Sequence, residues 1–206
     1  SISPGADAIP VLFVRGDWME ELGLEAPKSV EDISNIVKAF KEKYGESNSL
    51  VVSQDIVSES ANKTYGIDAL FALYAAYPKH WITDADGNLV YGSNTEEAKT
   101  ALAEIRKLVE NGTIDVSFTV RDSDQCAELV TSGQSGIFFG AWWNMSWPLN
   151  NMVEEDPSIY WNAYLAPLTE DGTYNTATLC PSGSFMVVKA GAVSYTHLTL
   201  PTKLEV

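Results

Sequence analysis

Residues 133–147 constrain the fold more than any other stretch, because a short apolar run there leads directly into a cluster of tryptophans. The run 137–139 is too short for a helix and has the β-branched and aromatic character of a buried strand. Gly140 allows the backbone to turn sharply or to lie close to another group. Three tryptophans follow, and each indole can remove ~150–250 Å² from water. We expect at least one of these rings to fill the core and at least one to stack on a flat ligand such as a sugar ring.

Composition narrows the class of protein and its partners. The chain has 206 residues, of which 45% are hydrophobic and 20% charged, and these values are typical of a globular domain. A net charge of −15 without any basic run argues against nucleic acid and anionic membrane surfaces as partners. Two cysteines and two histidines form no disulfide framework and no metal-ligand spacing, so neither a metal nor a cofactor is expected. Whether Cys126 and Cys180 pair is left open, and buried free thiols are the expectation.

Hydrophobic periodicity alternates between strand and helix along the chain. Apolar and β-branched runs predict strands at residues 9–14, 50–52, 160–168 and 179–188. Two more strands flank an Asp-Gly turn and predict a hairpin, at residues 80–83 and 88–91. Helices are predicted at residues 19–24, 29–45, 65–77, 93–112 and 123–133. This alternation is typical of an α/β fold.

Capping signals predict where three of these helices begin. Ser29 caps the second helix, Ser93 and Glu96 form a capping box on the fourth, and Ser123 caps the fifth. The apolar residues of the fourth helix are expected to face inward: Ala98, Ala101, Leu102, Ile105, Leu108 and Val109.

The two ends of the chain differ from the rest. It begins at Ser1 without an initiating methionine, which predicts a fragment. Residues 192–206 continue neither a helical period nor a core pattern, and they resemble a translated sequencing adaptor. We therefore expect a non-native tail with few buried contacts, the alternative being a genuine terminal strand.

Several short motifs resemble the family 1 extracellular solute-binding proteins, the sugar-type binding lipoproteins of ABC importers. The first motif runs through residues 15–32, with Arg-Gly-Asp-Trp-Met, Leu-Gly-Leu, Pro27, Ser29 and Glu-Asp in order. Later segments agree at residues 81–91, 110–115 and 132–136, so the resemblance covers residues 9–190. Gly16 and Gln134 stand where the family usually carries lysine.

The resemblance implies an α/β, periplasmic-binding-protein-like fold of type II, with two lobes and a ligand cleft between them. Residues 1–15 would end lobe one and enter the hinge, residues 16–161 would form lobe two, and residues 162–191 would return to lobe one. It also implies a monomer that binds an oligosaccharide or related solute and delivers it to ABC permease subunits. The location would be the extracellular face of the cytoplasmic membrane, through a lipid anchor, or the periplasm.

Ligand-binding residues are also implied by the resemblance. Trp142 matches a stacking tryptophan of maltose-type members, and Trp143 and Asn144 beside it are further candidates. Tyr65 stands roughly where those members carry a stacking tyrosine, or alternatively caps a helix on the core.

Two remaining candidates have alternatives left open. Asp17 could bind sugar hydroxyls, cap the following turn or pair with Arg15. Trp81 could line the cleft or brace the predicted hairpin. Trp18 is expected to pack into lobe two.

Other function classes fit less well. Glycoside hydrolases also combine aromatic platforms with paired carboxylates, but the acidic residues here fall on predicted helix surfaces and turns. No Ser-His-Asp order or phosphate-cradling loop is present in the sequence, so no catalytic residue and no enzyme activity is predicted. A protein-interaction module that uses the tryptophans as a patch is the remaining alternative.

Overall fold

The computed structural model describes residues 9–57 and 64–177. The strands are Pro10–Arg15 (β1), Trp81–Thr83 (β2), Leu89–Tyr91 (β3), Ile137–Ala141 (β4) and Trp161–Tyr164 (β5). The α-helices are Gly16–Leu22 (α1), Val30–Tyr44 (α2), Asp68–Leu73 (α3), Glu96–Glu110 (α4), Ser123–Thr131 (α5) and Leu149–Glu155 (α6). Short 3₁₀ turns are Gly92–Asn94, Val116–Val120 and Trp142–Met145.

The central sheet is built around β1, which pairs antiparallel with both β4 and β5. Pro10 lies opposite Ala141, and Leu12 lies opposite Tyr164. Parallel bridges extend the sheet beyond β4, from Phe138 to Val51 and from Leu50 to Ile114. The predicted strand at residues 50–52 is therefore present as an isolated bridging segment.

Both faces of this sheet are covered by helices, as the α/β prediction requires. Alternate residues of a strand point to opposite faces. On β1, Leu12 and Val14 join a core cluster with residues of α1 to α4, whereas Phe13 joins a second cluster with residues of α5 and α6. All five residues of β4 are buried, which explains why this strand is a continuous apolar run.

The helix α2 follows its sequence pattern closely. The hydroxyl of Ser29 accepts a hydrogen bond from the N–H of Asp32, whose carboxylate accepts one from the N–H of Ser29. This capping box confirms the predicted start. The buried residues of α2 are Ile33, Ile36, Val37 and Phe40. Trp18 packs against this helix, with its ring 5.1 Å from that of Phe40, as predicted.

The long helix predicted for residues 65–77 is wrong in extent, because only α3 forms there. Tyr65 and Ala75 have φ angles of 61° and 55°, which no right-handed helix contains. The N–H of Tyr65 donates to the carbonyl of Phe139 (2.7 Å), so this residue pairs with the edge of β4 instead of starting a helix.

Two predicted helix caps are wrong by one or two positions. The hydroxyl of Thr95, not Ser93, accepts from the first turn of α4, while that of Ser93 accepts from the N–H of Lys79. Asp122 rather than Ser123 caps α5, in a capping box with Gln125. In each case a neighbouring side chain of similar hydrogen-bonding capacity occupies the N-cap position.

The hairpin β2–β3 is confirmed, and Gly87 in its turn has a φ of 84°. Leu102 of α4 was predicted to face inward, but it is half exposed. The strand predicted at residues 160–168 is limited to β5. The predicted strand 179–188, the tail 192–206 and any pairing of Cys180 lie outside the described residues.

Across residues 9–57 and 64–177, no helix has the length and apolar character needed to cross a bilayer.

Candidate ligand-binding edge

The tryptophan cluster lies at one end of the central sheet. β4 ends at Ala141, which pairs with Pro10 at the start of β1. Since β5 is also antiparallel to β1, its last residue, Tyr164, lies toward the same end. Residues 142–147, which follow β4 directly, are called the tryptophan edge below.

Large apolar side chains are exposed along the tryptophan edge. The exposed fractions are 58% for Trp142, 45% for Met145 and 58% for Trp147. Residues 142–145 form a 3₁₀ turn, and its three-residue period puts Trp142 and Met145 on the same side. Trp143 is half-buried. The edge therefore offers flat, apolar and polarisable surface to a ligand.

Asn144 lies on the inner side of this turn and is fully buried. Its Oδ1 accepts a hydrogen bond from the hydroxyl of Thr64 (2.8 Å), and its Nδ2 donates to the carbonyl of Trp147 (3.3 Å). A Cβ on Gly140 would lie 2.4 Å from Oδ1, so only glycine leaves room for this amide. In this structure Asn144 supports the turn from within, and its contact with ligand stays a prediction.

Tyr65 lies next to Thr64 and is buried below the tryptophan edge. Its backbone bridges two strands, because its N–H donates to Phe139 and its carbonyl accepts from the N–H of Ser53 (2.9 Å). Its ring centroid is 5.2 Å from that of Phe138. Burial raises the pKa of the Tyr65 phenol, and the hydroxyl has no hydrogen-bond partner among the described residues. Stacking of this ring on ligand stays a prediction.

Asp17 lies at the other end of the sheet from the tryptophan edge. It follows Arg15, the last residue of β1, and six strand residues span roughly 16–20 Å. The Nε of Arg15 donates to Oδ1 of Asp17 (2.8 Å), and a second guanidinium nitrogen contacts Oδ2. Of the alternatives left open by the sequence, the structure contains the ion pair with Arg15. The predicted sugar contact of Asp17 stays a prediction.

Trp81 is on the hairpin, where it pairs with Tyr91 across the two strands. The ring centroids are 5.4 Å apart, and 66% of Trp81 is exposed. Cross-strand aromatic pairs stabilise hairpins, so this contact agrees with the bracing alternative. Its contribution to a cleft stays a prediction.

One cavity, with a volume of about 380 Å³, is formed between α5 and the 3₁₀ turn Val116–Val120. Its lining residues are Ser117, Val120, Arg121, Gln125, Glu128, Leu129 and Gln134. None of the predicted ligand-binding residues is among them. Trp142, Met145 and Trp147 of the tryptophan edge are instead exposed at the surface of the described part of the chain.

Sequence reasoning missed Met145 and Thr64, and it counted Trp147 among the three tryptophans without naming it as a candidate binding residue. Met145 and Trp147 are as accessible as a ligand-stacking surface requires, and the three-residue spacing from Trp142 to Met145 was the available signal. The role of Thr64 had no local signal, because its partner Asn144 is 80 positions away.

Three curated proteins are similar to part of this chain, at 24–28% identity. No protein-family model matches the chain. The polygalacturonan/rhamnogalacturonan-binding protein YtcQ of Bacillus subtilis is 27% identical over 135 residues, or 63% of this chain and 26% of YtcQ. Lipoprotein LipO of the same organism is 28% identical, over 71% of this chain and 30% of LipO. The fructooligosaccharide ABC transporter substrate-binding protein FusA of Streptococcus pneumoniae is 24% identical, over 71% of this chain and 26% of FusA.

Solved structures agree on the fold. FusA in complex with kestose superimposes with a TM-score of 0.62 at 22% identity, covering 87% of this chain and 36% of FusA. The alginate-binding protein AlgQ2 superimposes with a TM-score of 0.61 at 15% identity, covering 79% of this chain and 33% of AlgQ2. The periplasmic-binding-protein-like α/β fold and the resemblance to sugar-binding ABC transporter proteins are confirmed. The chain spans about a quarter to a third of the curated relatives it matches.

Proposed function

We propose that the chain is part of a solute-binding protein that holds an oligosaccharide at the tryptophan edge and delivers it to an ABC importer. The exposed surface of Trp142 and Met145 at the end of the sheet is the observation that carries this proposal. Two relatives named for oligo- or polysaccharide binding, YtcQ and FusA, support it.

Residues 16–161 are proposed as one lobe of a two-lobed protein together with β1, because β1 is the central strand of their sheet. β1 begins and β5 ends toward the tryptophan edge. Connections to a second lobe through residues 1–15 and 162–191 would therefore leave from the same end as Trp142. A second lobe reached this way would face the exposed indole and close a cleft over it.

Stacking on Trp142 would supply a large share of the affinity. Covering its exposed 58% would remove roughly 90–145 Å² from water. At ~25 cal/mol per Å², this burial is worth ~2–4 kcal/mol. A ligand that contacts both lobes only in the closed state binds that state more tightly than the open one. This difference in affinity sets how far the ligand shifts the protein toward the closed state.

The protonation behaviour of the acidic residues favours binding over hydrolysis. A glycoside hydrolase needs a carboxylic acid whose pKa is raised, so that it can donate a proton near neutral pH. Within the described part of the chain, every carboxyl group with a clear shift has its pKa lowered instead, by hydrogen bonds or ion pairs: Glu21, Asp32, Asp84, Asp115, Asp156 and Asp171. We therefore propose no enzymatic activity.

The cellular setting follows from the same proposal. The partners would be the membrane subunits of an ABC permease, and the binding protein would act as a monomer. Its location would be the extracellular face of the cytoplasmic membrane or the periplasm. The name of LipO as a lipoprotein supports a lipid anchor.

The test is calorimetric titration of the full-length protein that contains this chain, against a panel of oligosaccharides and peptides. Trp142→Ala should weaken binding of the best sugar by roughly 30-fold or more, the equivalent of ~2 kcal/mol. Tyr160→Ala is the control, because this aromatic ring is exposed beside the opposite end of β1.

Equal affinity of Trp142→Ala and wild type would contradict the assignment of this tryptophan. Binding of peptides without any sugar would favour the interaction-module alternative. Turnover of a bound sugar would favour the enzyme.

A further inference from the structure

Two uncommon features meet directly beneath the tryptophan edge. Asn144 carries a fully buried amide, and Tyr65 is a non-glycine residue with a φ of 61°, in the left-handed region. This backbone conformation costs free energy for a residue with a bulky side chain, so the surrounding contacts must hold it in place. Strained residues of this kind cluster at functional sites, where the strain serves a geometric purpose. The contacts around Tyr65 show what its conformation achieves.

Three hydrogen bonds fix residues 64 and 65 between the sheet and the tryptophan edge. The N–H of Tyr65 donates to the carbonyl of Phe139 (2.7 Å), and its carbonyl accepts from the N–H of Ser53 (2.9 Å). These two bonds tie the backbone of Tyr65 to β4 on one side and to the segment around Ser53 on the other. The hydroxyl of Thr64 donates to Oδ1 of Asn144 (2.8 Å). The fixed backbone of Tyr65 therefore holds the Thr64 hydroxyl against the inner side of the 3₁₀ turn.

The amide of Asn144 extends this constraint along the tryptophan edge. Its Nδ2 donates to the carbonyl of Trp147 (3.3 Å), so one buried side chain links Thr64 to the end of the edge. Gly140 leaves room for the amide, because a Cβ there would collide with Oδ1. Trp142 and Trp147 are each 58% exposed, although burial of an indole is favourable. The turn is therefore held from inside while these indoles remain outside.

We propose that Thr64 is a positioning residue of the sugar site, which acts through Asn144 to hold Trp142 in its outward orientation before ligand binds. The left-handed backbone of Tyr65 aims the Thr64 hydroxyl, a role that does not require the Tyr65 ring to contact sugar. This inference rests on the proposed function and adds a residue that the ligand need not touch. A preorganised indole loses less conformational freedom on stacking than a mobile one, so the Thr64 hydrogen bond raises the affinity for sugar.

The test is a double-mutant cycle in the full-length protein, with binding of the best oligosaccharide of the panel measured by calorimetric titration. Thr64→Val keeps the shape of the side chain but removes the hydroxyl, and it should weaken binding about tenfold, the size expected for one hydrogen bond to a buried amide. Thr64→Ser retains the hydroxyl and should restore most of the lost affinity. In the Trp142→Ala background the effect of Thr64→Val should shrink to less than ~2-fold, because the residue that Thr64 positions is gone.

This non-additivity separates positioning from a general loss of stability. A loss of about tenfold that persists in the Trp142→Ala background would overturn the inference, since Thr64 would then act independently of this indole. Wild-type affinity of Thr64→Val, or failure of Thr64→Ser to restore binding, would overturn it as well. Thr100→Val is the matched control, because Thr100 is an exposed threonine whose hydroxyl donates to the carbonyl of Glu96 within α4 (2.9 Å). An equal loss of affinity in this control would also count against the inference.

Folding of each variant is checked by circular dichroism. Thr64→Ala, which leaves room for water at Oδ1 of Asn144, is titrated as well, so that a folding defect of Thr64→Val does not end the test. It should lose affinity only where Trp142 is present. Failure of every sugar to bind the wild type would contradict the proposed function, whereas binding that depends on Trp142 but not on Thr64 would contradict this inference alone.

Discussion

Replacing Asn144 by alanine should destabilise the fold and loosen the tryptophan edge together. The side chain of Asn144 is fully buried and makes two hydrogen bonds, one with Thr64 and one with the carbonyl of Trp147. Each contributes a net ~1 kcal/mol, and the lost amide also leaves a small void. The expected cost in the free energy of unfolding is therefore ~2–3 kcal/mol.

The assay is equilibrium urea unfolding followed by circular dichroism, with Asn151→Ala as the matched control. Asn151 is an exposed asparagine of α6, so its removal should change the free energy of unfolding by less than ~0.5 kcal/mol. For Asn144→Ala the urea concentration at the unfolding midpoint should fall. The m-value, which is the slope of the free energy of unfolding against urea concentration, should not change, since the same surface is exposed on unfolding.

Calorimetric titration of the same variants provides the functional part of the prediction. Asn144→Ala should bind sugar more weakly than Asn151→Ala, because the turn that holds Trp142 has lost its internal support. A stability of Asn144→Ala within ~0.5 kcal/mol of wild type would refute this reasoning, since two buried hydrogen bonds would then contribute almost nothing.

Three further predictions concern stability away from the tryptophan edge. Gly136→Ala should lower the free energy of unfolding in urea by ~1–3 kcal/mol, because the new Cβ would lie 2.6 Å from Cζ3 of buried Trp18. An unchanged urea midpoint would mean that the Trp18 ring can move aside freely. Ser29→Ala should cost ~1 kcal/mol by removing the cap of α2, and no loss would show that the cap is dispensable. Backbone hydrogen bonds from Lys28 and Ser29 hold the pKa of Asp32 below its usual value, so its contribution is present at neutral pH and lost as pH falls below about 4. The stability difference between wild type and Asp32→Asn should shrink in acid, and a difference constant with pH would contradict this linkage.

Much of the fold could be predicted because its signals are local. The cap, apolar face and terminal glycine of α2 lie within one segment, and the structure reproduces them. The run 137–139 was recognised as a buried strand from three side chains. The hairpin β2–β3 followed from its Asp-Gly turn. In each case neighbouring residues already specify the backbone conformation.

The errors have a common cause in contacts between distant residues. Residues 65–77 have helical composition, yet the hydrogen bond from Tyr65 to Phe139 fixes a left-handed conformation that ends any helix there. Leu102 fits the apolar face of α4 but finds no partner that covers it fully. Propensity is a weak preference, and pairing with a sheet edge easily exceeds it.

The sequence by itself determined the α/β alternation, the position of a tryptophan-rich turn after a buried strand, and the acidic charge of the chain. Only the tertiary structure decided which of the neighbouring polar and aromatic side chains face outward. Trp142 is exposed and Asn144 buried because Thr64, 80 positions earlier, supplies the partner for the inward amide. That choice depends on a hydrogen bond which exists only once β1, β4 and the segment around Tyr65 have come together, so no local pattern encodes it.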